Sequence, residues 1–144
     1  MKRTILFIFF FSIAIINVSA QNWLTDINEA KKIASEKNKK IVLVFQGSDW
    51  CAPCIKLDKE IWSTEKFKSY AEEHYIMLKA DFPRRKKNAL SEDQQTKNNL
   101  LAETYNKNGH FPFVVVLNSK GDVLGESGYM KTNPSSYISH INSF

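Results

Sequence analysis

The chain holds two cysteines, Cys51 and Cys54, in the run Trp50-Cys51-Ala52-Pro53-Cys54. Thiols at this spacing exchange electrons with disulfides, hold a soft metal, or sit inert. The flanking sequence favours exchange. The apolar, β-branched run Ile41-Val42-Leu43-Val44-Phe45 reads as a buried strand, and Gln46-Gly47-Ser48-Asp49 as a loop. A helical pattern starts at about Ala52, with Cys54, Leu57 and Ile61 on one side. Cys51 then stands at a helix N-terminus. Unpaired N–H groups and the positive end of the helix dipole lower a thiol's pKa there, so Cys51 becomes a nucleophile near neutral pH. Cys54 falls inside the first turn and is expected to be the more buried of the two. It is suited to attack a mixed disulfide formed on Cys51 and release the substrate. Pro53 removes an N–H that would be unsatisfied in the first turn, and Trp50 offers a flat apolar surface beside the sulfur.

Three other roles for the pair stay open. Zinc needs four ligands, and only His74, His110 and His140 are left to complete a set, at spacings unlike a zinc finger. Copper(I) suits soft thiolates, and the pair with His110 would supply three donors. An inert pair in a binding domain is the third.

The remaining elements must position this run. Trp23, Ile27, Ala30 and Ala34 recur at helical spacing and predict an amphipathic helix. Ser63 is expected to cap a helical restart carrying Phe67, Tyr70, Ala71 and His74. Residues 75–82 read as a second strand ended by Pro83, and Arg84-Arg85-Lys86-Lys87 as a basic loop. Such a run is either solvated or docks an acidic partner. Ser91-Glu92-Asp93-Gln94 has the capping-box pattern for a helix to about Tyr105. Residues 113–117 form a third strand, 118–121 a turn and 122–127 a fourth strand, which makes a hairpin. Asn133-Pro134 opens a last helix with Tyr137, Ile138 and Ile141. Trp23 and Trp62 are expected in the core. Alternating strands and helices predict an α/β fold: a mixed sheet covered on both faces, with a C-terminal antiparallel hairpin.

Lys2 and Arg3, an apolar run from residue 5 to 16, and small residues up to Ala20 predict a secretory signal peptide cut after Ala20. Residues 21–144 are then a single exported domain, released from the membrane and periplasmic or secreted. The apolar run is shorter than the roughly 20 residues that span a bilayer, and no cysteine near the cut takes a lipid. The chain's 43% apolar and 24% charged residues exclude disorder and repeat arrays as starting points. Its net charge of +5 includes Lys2 and Arg3, and this mild basicity does not argue for nucleic acid. Exported domains stapled by disulfides carry several widely spaced cysteines, whereas a Cys51–Cys54 bond closes a tiny loop. The pair therefore reads as chemical rather than structural.

On these motifs the sequence resembles the thioredoxin-like family over nearly all of residues 21–144. Trp-Cys-Ala-Pro-Cys is similar to the family's Trp-Cys-Gly-Pro-Cys active site. Phe111-Pro112 is similar to its cis-proline loop, and residues 121–129 to its final hairpin. The likeness extends to exported members, including the C-terminal domain of the membrane thiol:disulfide interchange protein. Those share Asp-Trp-Cys-x-x-Cys and Gly-Tyr/Phe-Met, here Gly128-Tyr129-Met130. The resemblance implies a thioredoxin fold, with Pro112 cis and facing the disulfide and Phe111 pairing with the substrate backbone. It also implies thiol–disulfide exchange with no cofactor and no metal.

Two departures follow. The residue before the family's proline is small or β-branched, so Phe111 narrows or reshapes the groove. The family's strand carboxylate, six residues before the first cysteine, is Phe45 here. Asp58, one helical turn after Cys54, either takes its place as proton acceptor for Cys54 or is solvated beside Lys56 and Lys59. His110 adjoins the proline loop and is either near the sulfurs, where its cation favours a thiolate, or an exposed loop residue. The expected activity is reduction of protein disulfides by a monomer that draws on a membrane or soluble electron donor. An oxidase or isomerase of the same fold, a thiol-dependent chaperone and a copper-handling module are the alternatives.

Overall fold

The computed structural model describes residues 21–144; the predicted leader, residues 1–20, lies outside the described residues. Five strands form one sheet: β1 (Trp23–Leu24), β2 (Lys40–Gln46), β3 (Tyr75–Asp81), β4 (Phe113–Leu117) and β5 (Val123–Ser127). Their order is β1-β3-β2-β4-β5. β1, β3 and β2 are parallel, and β4 runs antiparallel to both β2 and β5. Five helices connect and cover them: α1 (Ile27–Lys37), α2 (Ala52–Leu57), α3 (Glu65–His74), α4 (Glu92–Tyr105) and α5 (Pro134–Asn142). This is the predicted mixed sheet with helices on both faces and a C-terminal hairpin.

The pleat divides the apolar residues between two cores, because successive side chains of a strand point to opposite faces. Ile41, Leu43 and Phe45 pack with Ala30 and Ala34 of α1 and Leu101 of α4. Val42 and Val44 pack with Leu57, Phe67 and Tyr137 under α2, α3 and α5. Trp62 is buried in the second core. Its ring meets Trp23 (6.2 Å), Phe67 (4.7 Å) and Tyr137 (5.2 Å) edge-on.

The structure corrects the sequence reading at four local points. Trp23 belongs to a fifth strand rather than to α1. The Asp26 carboxylate accepts from the Asn28 and Glu29 N–H groups (2.8 and 3.2 Å), so the helix begins after it. Thr64, not Ser63, caps α3, its hydroxyl accepting from Phe67 N–H at 3.3 Å. Between α2 and α3 the chain makes a π-helical turn over Asp58–Trp62. This turn carries one more residue than an α turn, and both Ile61 and Trp62 in it are buried. At α4, Ser91 caps Gln94 N–H as predicted (3.2 Å), but the Gln94 amide turns away to Thr25 O and Asn98 Oδ1. Only half of the capping box is made.

Candidate active site

The site lies where β2 gives way to α2, at the carboxyl ends of the parallel strands, where α/β sheets place their chemistry. Gly47 O accepts from Cys51 N–H at 2.9 Å, which turns the chain sharply into α2. Glycine is required at 47, because a β-carbon there would collide with the Trp50 indole. Cys51 is the N-cap of α2, with Pro53 in the first turn. The two cysteines are joined in a disulfide, with Cα atoms 5.2 Å apart. The Cys51 sulfur accepts the Cys54 N–H at 3.3 Å, as a cap side chain does. Burial does not separate the sulfurs as the sequence suggested: each cysteine is 4% exposed. What separates them is the helix terminus, which faces Cys51.

Trp50 is built into an aromatic and cationic cluster. Its Nε1–H donates to Phe82 O (2.7 Å), and its ring meets Phe111 edge-on at 5.4 Å. Phe111 in turn meets Phe82 at 5.5 Å. The Arg84 guanidinium lies 3.7 Å from the centroid of the Trp50 ring, a cation–π contact. The indole is therefore not the bare apolar surface of the sequence reading. The Phe111–Pro112 peptide bond is cis. Two contacts fix this loop. Buried Asn106 clamps the His110 backbone, donating to its carbonyl and accepting from its N–H, both at 2.9 Å. Gly128 approaches so closely that a β-carbon would lie 3.3 Å from Pro112 O.

Asp58 is exposed and lies beside the second cysteine. It shares with Cys54, Gln46, Ser48, Ile55 and Lys79 the lining of a hollow of about 290 Å³. Its carboxylate accepts from Ser63 Oγ at 3.2 Å, across the π turn. Among the described residues it forms no ion pair with Lys56 or Lys59. Phe45, which the resemblance matches to the family's strand acid, is fully buried in the core toward α1 and α4 against Phe113 (6.3 Å), while Gln46 lines the hollow with Cys54. His110 is exposed, and its ring meets Phe113 edge-on at 6.0 Å. His74 stacks on Tyr70 at 4.0 Å, and His140 meets Ser127 Oγ at 3.1 Å. Among the described residues no group of three or more His, Cys, Asp or Glu is placed to hold a metal ion. No helix of the described residues is long and apolar enough to cross a membrane.

Three polar residues were missed from sequence. Lys79, opposite Val44 in the β2–β3 register, lines the hollow with Cys54. Asp81 accepts from Ser48 N–H (2.9 Å) and Ser48 Oγ–H (2.6 Å), bracing the loop before the cysteines. Asp49 accepts from Arg84 N–H (2.9 Å), Arg85 N–H (3.0 Å) and Asn88 Nδ2–H (2.8 Å). The first two were findable. In the run 75–82 the charged residues Lys79 and Asp81 alternate in phase with Tyr75 and Met77, and so share the α2 face.

The Arg84 amide and then the Asn88 side chain, with a smaller part from Arg85, hold the Asp49 carboxyl below its ordinary 3.8. The folded chain thus favours the ionised form. The tether is complete above the ordinary carboxylate range and is lost as pH falls through the lower folded value. In an NMR titration the Arg84 and Arg85 amide resonances should move together with the Asp49 carboxyl, at a midpoint below 3.8. A midpoint at or above 3.8, or movement that persists in Asp49→Ala, counts against the tether.

A disulfide pair at a strand-to-helix turn, with a cis-proline loop whose Phe111 meets Trp50, in this sheet topology, defines a thiol–disulfide oxidoreductase of thioredoxin architecture. The comparisons agree. The thioredoxin-like family model matches residues 22–119, and the chain belongs to that family. It is 36% identical over 115 residues to the disulfide bond reductase DsbH of Chlamydia pneumoniae, covering 80% of this chain and 68% of that protein. A solved structure of a DsbH oxidoreductase superposes with a TM-score of 0.79 at 33% identity, covering 87% of this chain and 84% of that one. The C-terminal domain of Neisseria meningitidis DsbD, in the oxidised form, shares the fold. Its TM-score is 0.53 at 18% identity, covering 80% of this chain and 89% of that one.

Proposed function

We propose that this chain is an exported oxidoreductase that reduces protein disulfides, with Cys51 as nucleophile. The observation that carries the reading is the Cys51 sulfur at the α2 cap, accepting the Cys54 N–H at 3.3 Å. The same hydrogen bond stabilises a thiolate once the pair is reduced, since a charged acceptor bonds more strongly than a neutral one. The Cys51 thiolate attacks one sulfur of the substrate disulfide. A new S–S bond forms, the substrate's own breaks, and its second sulfur leaves as a thiolate that takes up a proton. Cys54 then gives its proton to Asp58, across the hollow both line, and attacks the Cys51 sulfur. The Cys51–Cys54 bond forms, the bond to the substrate breaks, and two electrons have passed to the substrate. A dithiol on a membrane or soluble donor protein reduces the pair again. Phe111 offers its backbone to the substrate chain, with Pro112 facing the sulfurs. Export through a leader cut after Ala20 supports the same reading, since an oxidising compartment supplies disulfides to reduce. The protein acts as a monomer.

The reduction potential of the pair tests the direction. Thiol trapping in graded redox buffers should give about −270 mV, the value of a reducing thioredoxin. A value of roughly −120 to −180 mV would mean that the reduced form is stabilised and that the protein forms or reshuffles disulfides instead.

The role of Asp58 has its own test. Asp58→Asn should slow resolution of the mixed disulfide about tenfold or more while leaving the attack by Cys51 intact. Single-turnover rates against pH should also lose one ionisation in the resolving step. An unchanged pH profile returns Asp58 to the solvated surface.

A further inference from the structure

We infer that the 84–88 loop is a docking surface for acidic residues flanking the disulfide of the substrate protein. The inference rests on the reductase reading and adds the substrate class. Arg84, Arg85, Lys86 and Lys87 are all exposed, and among the described residues none makes an ion pair. The three backbone and amide hydrogen bonds that Asp49 accepts fix the loop instead, together with a 3-10 turn closed by Asn88 N–H to Arg85 O (2.9 Å). Asp49 offsets part of this charge through the field it shares with Arg85, and the four exposed cations still outnumber it. A solvated run needs no such tether.

Position decides what the charges meet. Arg84 lies against Trp50, the residue before Cys51, and Phe82 and Phe111 complete the cluster. A substrate cysteine bonded to Cys51 would be bonded one residue from the indole that Arg84 covers, and its extended flank would advance about 3.3 Å per residue past that indole. Charge distribution supports the same partner. Residues 21–144 carry 18 Lys and Arg against 15 Asp and Glu, and outside the loop the balance is 14 against 15. The loop packs four of those 18 cations into consecutive positions, with Arg84 against the residue that precedes Cys51. Such local focusing raises association rates for oppositely charged partners by about tenfold or more at low salt.

The test uses prereduced protein, residues 21–144, in single turnover with two disulfide-bonded peptides of equal length. One carries Asp and Glu beside each cysteine and the other Ser and Gln. The acidic peptide should react about tenfold faster per unit concentration at low ionic strength, with the ratio falling toward one at 0.5 M salt, beyond the Debye screening range. In the variant Arg85→Glu/Lys86→Glu/Lys87→Glu the ratio should drop to one or below. A wild-type ratio of one, or a ratio the variant retains, overturns the inference. A cysteine-free, dye-labelled acidic peptide gives a second readout by anisotropy. If it binds wild type and not the variant while neither disulfide peptide is reduced, the docking surface stands and the reductase reading fails.

Discussion

Cys51→Ser should bring disulfide reduction down to the uncatalysed background, a loss on the order of a thousandfold or more. Cys54→Ser should do something different. It keeps the attacking sulfur at the α2 cap and loses the one that resolves, so a protein–substrate mixed disulfide should accumulate. Mass spectrometry under non-reducing conditions reads that adduct directly. The asymmetry follows from the helix end. With both cysteines equally buried, exposure gives no reason to prefer either. The hydrogen bond from Cys54 N–H to the Cys51 sulfur does, because it favours the charge that an attacking thiolate carries. Were the roles reversed, the trapped adduct would appear in Cys51→Ser. Retained catalysis in that variant would end the proposed mechanism.

Trp62→Ala should cost about 3–5 kcal/mol of stability. The indole is almost entirely buried and meets three aromatic rings, from β1, α3 and α5. Removing it leaves a large void among side chains fixed by the π turn and the sheet, which cannot close without moving both. A domain of this size is typically stable by about 5–15 kcal/mol, so the variant should stand near the edge of folding. With both proteins held oxidised, the urea midpoint should fall by about 2 M at unchanged slope. A shift below about 0.5 M would mean that the core repacks around the loss. Trp62→Phe, which keeps an aromatic ring in place, separates lost packing from lost size.

The strands were readable because each lies in an apolar, β-branched run ended by a turn or by Pro83, and pattern alone placed Cys51 at the start of a helix. The π turn was not readable. Cys54, Leu57, Ile61 and Trp62 already fit one apolar face of an ordinary α-helix, so nothing in the pattern signals the inserted residue. β1 was hidden because Trp23 is also in phase with α1, and only the Asp26 cap separates the two. In the site, the pair, Trp50 and the proline loop were visible as motifs. Asp49 was not, because two of its three partners are backbone amides of a distant loop, which have no signature in sequence, and the third, Asn88, is 39 residues away. The contact of Arg84 with Trp50 was hidden for the same reason of distance. Phe45 was read as the absence of an acid, and the fold accounts for it: that position faces the core between the sheet and α1 and α4.

The site is stitched together from segments far apart in the chain. Trp50 bonds to Phe82, 32 residues on, Asp49 to Arg84, 35 residues on, and Phe111 arrives later still. During synthesis the two thiols therefore emerge well before the groove that selects what they react with. At about 5–20 residues per second the interval lasts several seconds. Through that window Cys51 and Cys54 lack the neighbours that the fold later sets around them. Their selectivity is acquired only when β3 and β4 have docked, so maturation of the enzyme coincides with completion of its fold.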